Sequence, residues 1–354
     1  MEALECGSRR DVRQKRRLES EMRVFEGWTP VLDAVPYTPT PRTVLHFLTN
    51  SLPYTASGYA QRSHSLLRAQ SRAGWAVHAV TRQGYPALVG KLTGRETENI
   101  DGVHYHRLFV ARLPSGMDQR LQEQTAALLK LCLRLRPEVL HTTTHFVNAL
   151  VVSTVARALG IPWVYEVRGL LAETWASSRP GSARHSERHR NFRRRESDAT
   201  RCADAVITLG EAMKASITEE GGCAPDKVEL IPNAVGGMFL DTPRSPAEAR
   251  MDVGLDPDTL TIGTVSSLVG YEGLDDLIRA FALLSPEIPN LRCLIVGDGA
   301  DSSRLRNLAR ELGVSDSVSF PGRVDSAQSH LYHQALDIFV LPRKNLAVTR
   351  TVTP

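Results

Sequence analysis

The chain has 354 residues, 42% of them hydrophobic and 23% charged, with a formal net charge of +4. That length is long for one core and suits two α/β domains. The ordinary composition excludes a fibrous or low-complexity protein, and the small net charge says little about partners. Five cysteines, Cys6, Cys132, Cys202, Cys223 and Cys293, are scattered and form no C-x-x-C, which argues against a disulfide framework or a zinc site. The most apolar run, 149–165, is interrupted by Arg157 and Pro162 and falls short of a membrane span. The N-terminus has charges of both signs and no apolar core, unlike a secretory signal. A cytoplasmic protein without a transmembrane helix is expected.

Residues 1–41 combine a charged run (Arg9, Arg10, Arg13, Lys15, Arg16, Arg17) with prolines at 30, 36, 39 and 41, and read as a disordered leader. The alternative is a basic arm for anionic lipid or nucleic acid. Val44–Leu48 reads as a central strand, Thr49–Gly58 as a polar loop, Tyr59–Ala73 as a helix, Val77–Val80 as a strand and Gly102–Phe109 as an edge or hairpin strand. A helix over 121–135 stops at Pro137, and Val139–His141 is a strand. Val147, Leu150, Val151, Thr154, Val155, Ala158 and Leu159 mark a helix ended by Gly160. Trp163–Val167 and Ala205–Thr208 are strands, Glu211–Glu219 a helix and Val228–Ile231 a strand. Such alternation implies a mostly parallel sheet covered on both faces.

Residues 234–260 lose apolar periodicity and gather Gly, Pro and Asp, so the first domain is expected over 42–233, a linker over 234–260 and a second domain over 261–354. Thr261–Leu284 reads as strand, small-residue turn and helix, a unit that presents backbone N–H groups to a phosphate. Further strands are expected at Leu291–Val296, Val318–Phe320 and Ile338–Leu341. Gly297 and Gly299 sit in a G-x-G turn that lacks the third glycine of a dinucleotide fingerprint. The acidic residue sought beyond it would be Asp316, which lies before a strand instead of at its end.

The segments SSLVGYEGLDDLIRAF, LIVGDG, VSFPGRVD and ALDIFVLP, in this order, resemble the donor domain of the retaining family 4 glycosyltransferases of GT-B fold. NSLPYTASGYAQRSHSLL, HTTTH, GIPWVYEVRG, ADAVITLGEAM and VELIPNAV are similar to that family's acceptor domain. The resemblance covers residues 43–354. It implies an α/β chain of two Rossmann-like, doubly wound domains, the second incomplete. The implied reaction moves a sugar from a nucleotide-diphosphate donor to a glycan, lipid or other small acceptor in glycoconjugate or polysaccharide biosynthesis. Configuration is retained, and neither metal nor organic cofactor is required. A leaving diphosphate is then stabilised by cations, backbone N–H groups and a helix N-terminus.

By the same resemblance, His145 and Arg168 are the catalytic candidates, His145 beside the transferred sugar and Arg168 where many relatives carry a second histidine. Gly58, Ser266, Ser267, Glu272, Gly273, Gly297 and Gly299 are expected to bind the donor, with Arg323 and Val324 near the base. Ser267 and Glu272 stand where many members carry an arginine and a lysine, so Arg343 and Lys344 are expected to supply the missing charge. The family's paired glutamates have no match: Thr351 stands at the first position, and the chain is expected to be truncated before the second. Two rivals follow, a catalytically impaired remnant and a nucleotide-sugar epimerase on the same fold.

The run Arg184–Arg195 holds six arginines and one large apolar residue, Phe192. It lacks the apolar face of an inserting helix, which leaves a solvated segment or electrostatic docking to an anionic membrane surface as readings. No aromatic stacking set accompanies it, so nucleic acid is not expected as a partner.

Overall fold

A computed structural model describes residues 9–92, 94–325 and 327–351. The chain divides into two compact units, one running through Asn233 and the other over Ala234–Arg350. The first is built on strands β1 (Thr43–Leu48), β2 (Ala76–Thr81), β3 (Thr97–Ile100), β4 (Val103–Arg107), β5 (Val139–Thr143), β6 (Trp163–Val167), β7 (Ala205–Thr208) and β8 (Val228–Leu230). Its helices are α1 (Arg9–Glu26), α2 (Gly58–Arg72), α3 (Met117–Leu135), α4 (Phe146–Leu159), α5 (Leu171–Ser177), α6 (Glu187–Cys202) and α7 (Glu211–Ala215). The strand order is β3-β4-β2-β1-β5-β6-β7-β8, and only the β3–β4 pair is antiparallel. All six residues of β1 are buried. Leu45 and Phe47 enter one core and Val44 and Leu48 the other, the two-faced burial that a central parallel strand requires. The hairpin partner of β4, Thr-Glu-Asn-Ile, carries one apolar residue and gave no periodic signal.

The leader is a correction. Residues 9–26 form α1, and Val24 and Phe25 are buried in the main core. The Phe25 ring meets Phe146 at 5.3 Å and Phe192 at 5.4 Å, both edge-on. The proline stretch behind it is also held: Tyr37 donates to Pro137 O at 2.7 Å, and Gln122 bonds both N and O of Val31. Few apolar residues sufficed to dock this helix because its polar face is also used.

That polar face meets the arginine run, whose Arg184, Arg188 and Arg193 side chains stay 39%, 45% and 40% exposed. Residues 187–202 form α6, with Phe192 buried. Arg188 pairs with Glu21 at 2.8 Å, Arg194 donates to Glu26 O at 2.9 Å, and Arg195 donates to Trp28 O at 2.9 Å. Arg184 pairs with Glu173 and Arg193 with Glu220. The run is therefore used inside the fold, where its fixed donors reach carbonyls at the end of α1.

The second unit has strands β9 (Leu260–Val265), β10 (Leu291–Val296), β11 (Val318–Gly322) and β12 (Ile338–Phe339) in the all-parallel order β11-β10-β9-β12. Helices α8 (Pro246–Asp252), α9 (Leu274–Leu284), α10 (Ser302–Glu311), α11 (Ser329–Gln334) and α12 (Ala347–Thr351) accompany them. The expected linker 234–260 is corrected as well, because it belongs to this unit. A Ser245/Glu248 capping box opens α8, and buried Arg250 pairs with Asp337 at 2.9 Å. One helix of seven residues is too short to show periodicity. Among the described residues no helix is long and apolar enough to cross a membrane.

Candidate active site

In a parallel sheet the carboxyl ends of all strands open on one edge. In the first unit the ends of β1, β2, β5 and β6 bring Asn50, Arg82, His145 and Arg168 into one cleft of about 200 Å³, beside Tyr59 and Ser63 of α2. His145 is the N-cap of α4, and its Nδ1 accepts from Val147 N–H at 3.3 Å. The ring stacks on Phe192 at 5.2 Å. Burial, with the nearby Arg82 charge, pushes its pKa down to about 3. A neutral ring whose Nδ1 accepts carries its proton on Nε2, so His145 can donate a hydrogen bond but supplies no positive charge at neutral pH.

Arg168 is 4% exposed and its guanidinium is largely occupied. Nη1 donates to Tyr59 O at 2.8 Å and Ser63 Oγ at 2.9 Å, and Nη2 to Glu166 Oε2 at 2.6 Å. Arg62 donates from Nε to the other Glu166 oxygen at 2.8 Å, and from its Nη atoms to Ile231 O, Pro232 O and Asn233 Oδ1. His141 Nε2 lies 3.5 Å from Glu166 Oε2 and stacks on His46 at 4.3 Å. Burial raises the Glu166 pKa, but His141 and Arg168 outweigh it and hold the carboxyl well below its ordinary range. Arg168, a catalytic candidate by resemblance, has its charge met by Glu166.

Glu166, Arg62 and Arg82 were not singled out in the sequence. A lone carboxylate inside the apolar strand WVYEV was the available sign, since a buried charge requires partners. The loop 49–57 is braced by Arg107, which pairs with Glu98 at 3.1 Å, donates to Ser51 Oγ and Leu52 O, and faces the rings of Tyr54, Tyr85 and Tyr105.

In the second unit the donor-binding candidates also gather at the carboxyl edge of the sheet. Ser266 N donates to Val296 O at 3.0 Å, Gly297 N to Gly322 O at 2.9 Å, and Leu268 N to Asp298 O at 3.0 Å. Ser266 Oγ is buried and has no hydrogen-bond partner among the described residues, whereas Ser267 and Arg323 are exposed and Val324 packs under the edge. A Cβ on Gly299 would lie 2.2 Å from Leu268 O, and one on Gly273, at φ +71°, 2.0 Å from Pro342 O. Arg343 and Lys344 are brought to this edge but not left to a ligand. Arg343 pairs with Glu272 at 3.1 Å, and Lys344 with Asp275 at 3.1 Å and Asp276 at 2.5 Å.

Gly297 and Gly58 differ in a way that experiment can read. A Cβ on Gly297, at φ +132°, would lie 1.8 Å from Ser266 O, whereas one on Gly58 meets nothing within 4 Å. Gly297→Ala is expected to destabilise the second unit by about 3 kcal/mol through backbone displacement. Gly58→Ala is expected to change stability by under about 0.5 kcal/mol. Urea unfolding of both variants checks this. A loss of donor binding in Gly58→Ala at unchanged stability would assign that glycine to ligand approach.

Two Rossmann-like units in tandem, each with its loops gathered at the carboxyl edge of its own sheet, define a protein of the GT-B class. Over 85% of this chain and 75% of its own, sucrose-phosphate synthase from Thermosynechococcus elongatus superposes with a TM-score of 0.68 at 20% identity. The lipopolysaccharide glycosyltransferase WaaG gives 0.61 at 17% identity, over 84% of this chain and 75% of its own. The chain belongs to the glycosyltransferase 4-like family: residues 57–234 match its Glycosyl transferase 4-like domain, and residues 247–347 match Glycosyl transferases group 1. A curated relative, D-inositol 3-phosphate glycosyltransferase of Stackebrandtia nassauensis, is 35% identical over 127 residues, 33% of this chain and 28% of the relative. The chain spans well under half the length of the curated relatives it matches.

Proposed function

We propose that the protein is a retaining glycosyltransferase that moves a sugar from a nucleotide-diphosphate sugar to a glycan, lipid or other small acceptor in glycoconjugate biosynthesis. The observation that carries this reading is the cleft of the first unit, with neutral His145 and the Glu166-anchored Arg168 at the carboxyl edge of a sheet whose sequence matches the family. In it His145 Nε2–H donates to a sugar hydroxyl, and Arg168 holds the wall formed by Tyr59 and Ser63. In the second unit the loops that carry Ser267 and Gly299, at the carboxyl edge of the sheet, take the diphosphate. The reading assigns no metal or organic cofactor.

Thermal stabilisation by UDP-, GDP- and ADP-sugars, followed by donor hydrolysis and anomeric analysis of the product by NMR, tests it. Stabilisation by one donor and a product of retained configuration are expected; no response to any of the three would overturn the proposal. A second reading, a remnant that binds donor without turning it over, is favoured by the pairing of Arg343 with Glu272 and of Lys344 with Asp275 and Asp276. Donor binding without hydrolysis or transfer would select it.

A further inference from the structure

Most of the deeply placed guanidinium groups of the first unit have a carboxylate. Arg62 and Arg168 share Glu166, and Arg107 has Glu98. Arg82 differs. Its Nε donates to Asn148 Oδ1 at 2.9 Å and its Nη2 to Thr49 Oγ1 at 2.7 Å, both neutral acceptors. Among the described residues no carboxylate pairs with it, and burial pushes its pKa down to about 10, which still leaves it charged at neutral pH. Asn148 also donates to Thr49 Oγ1 and to Thr143 O, so the three side chains form a fixed frame at the ends of β1, β2 and β5.

The surroundings favour an anion. Arg82 lines the same cleft as His145, and no Asp or Glu lines it. The 14-residue helix α4 begins there with its N-terminus, the positive end of its dipole. Of the five N–H donors of a guanidinium, two are committed to Asn148 and Thr49, which leaves the Nη1–Nη2 edge. That edge matches two oxygens of a phosphate or carboxylate. A buried cation without a counter-charge is costly in a finished core, whereas in a ligand cleft it is completed when the anion binds.

We propose that Arg82 is the receptor for an anionic group, a phosphate or carboxylate, on the acceptor that enters the cleft of the first unit. The proposal rests on the glycosyltransferase reading for the word acceptor, but not for the anion site itself. The donor diphosphate could offer the same chemistry, so the test separates the two sources.

The probe is inorganic phosphate, added to the full chain in low-salt buffer, with the thermal midpoint as the readout. Wild type is expected to show a saturable rise; at phosphate ten times its dissociation constant the folding equilibrium shifts about elevenfold. Arg82→Gln is expected to lose that saturable component, and Arg82→Lys, which keeps the charge, to retain part of it. The same titration at saturating UDP is expected to give an undiminished rise, which places the anion apart from the nucleotide. No saturable response in wild type, or an equal response in Arg82→Gln, overturns the anion site. Should Arg82→Gln fail to fold, an Arg82→Lys response equal to wild type at every salt concentration overturns it too. Abolition by UDP overturns the assignment to the acceptor. Donor hydrolysis is scored separately, so failure of the glycosyltransferase reading remains distinguishable from failure of this one.

Discussion

Phe25→Ala is expected to destabilise the first unit by about 3–5 kcal/mol, the range for removing a buried phenylalanine. The ring is 7% exposed and makes edge-on contacts with Phe146 and Phe192. These are the aromatic rings against which His145 packs, at 4.7 Å and 5.2 Å. Besides the lost transfer energy, the cavity would free two rings that fix the histidine. On the proposed function, donor affinity and turnover at a temperature where the variant is still folded should therefore fall as well. Denaturant unfolding followed by tryptophan fluorescence gives the first quantity, and donor titration the second. A cost below about 1 kcal/mol would show that α1 rests on the surface without bracing the core. Removal of α1 charge contacts alone, as in Arg188→Ala, should cost far less, because that pair is partly exposed.

The mostly parallel sheet of the first unit follows from features legible in the chain. Short apolar runs such as Val139–His141, followed by a helix with 3.6-residue periodicity over 147–159 and then the next run, Trp163–Val167, leave little choice but parallel strands. The loop candidates came from the family resemblance, and the structure puts His145, Arg168, Ser266 and Gly297 at strand ends. What pattern could not supply is who neutralises whom. Arg343 and Lys344 read as free cations because the carboxylates that meet them, Glu272, Asp275 and Asp276, lie some 70 positions earlier in the chain. Residues 1–41 read as a leader because composition counts charges without locating their partners. Long-range pairing is a property of the fold, and no window of local sequence contains it.

Glu166→Ala is expected to be the most damaging single substitution among the groups that support the cleft from behind, at about 3–5 kcal/mol, since removing one partner of a buried ion pair leaves the other charged and unpaired. Arg168, 3% exposed in its side chain, bears most of that cost; Arg62, at 17%, retains its bonds to the 231–233 turn. Replacing both members by apolar residues of similar volume should therefore cost less than the single change, so Glu166→Met with Arg168→Met is expected to be more stable than Glu166→Ala. The sign of the pH dependence is fixed by the same geometry. The folded-state pKa of Glu166 is depressed, so its contribution is complete above its unfolded value of about 4.5 and is lost as pH falls below it. His46, pushed well below 6.5 by burial and by His141, and His145, pushed to about 3, favour the folded state above pH 6.5 and disfavour it increasingly below. Wild type should thus lose stability from pH 6.5 downward, by up to about 1.4 kcal/mol per pH unit for each histidine that must stay neutral. The penalty of Glu166→Ala should be constant from pH 8 to 5 and shrink below about 4.5. Urea midpoints across that range decide the matter, and a penalty that grows on acidification would mean that Glu166 is protonated in the folded protein and that Arg168 is held by its neutral partners, Tyr59 and Ser63.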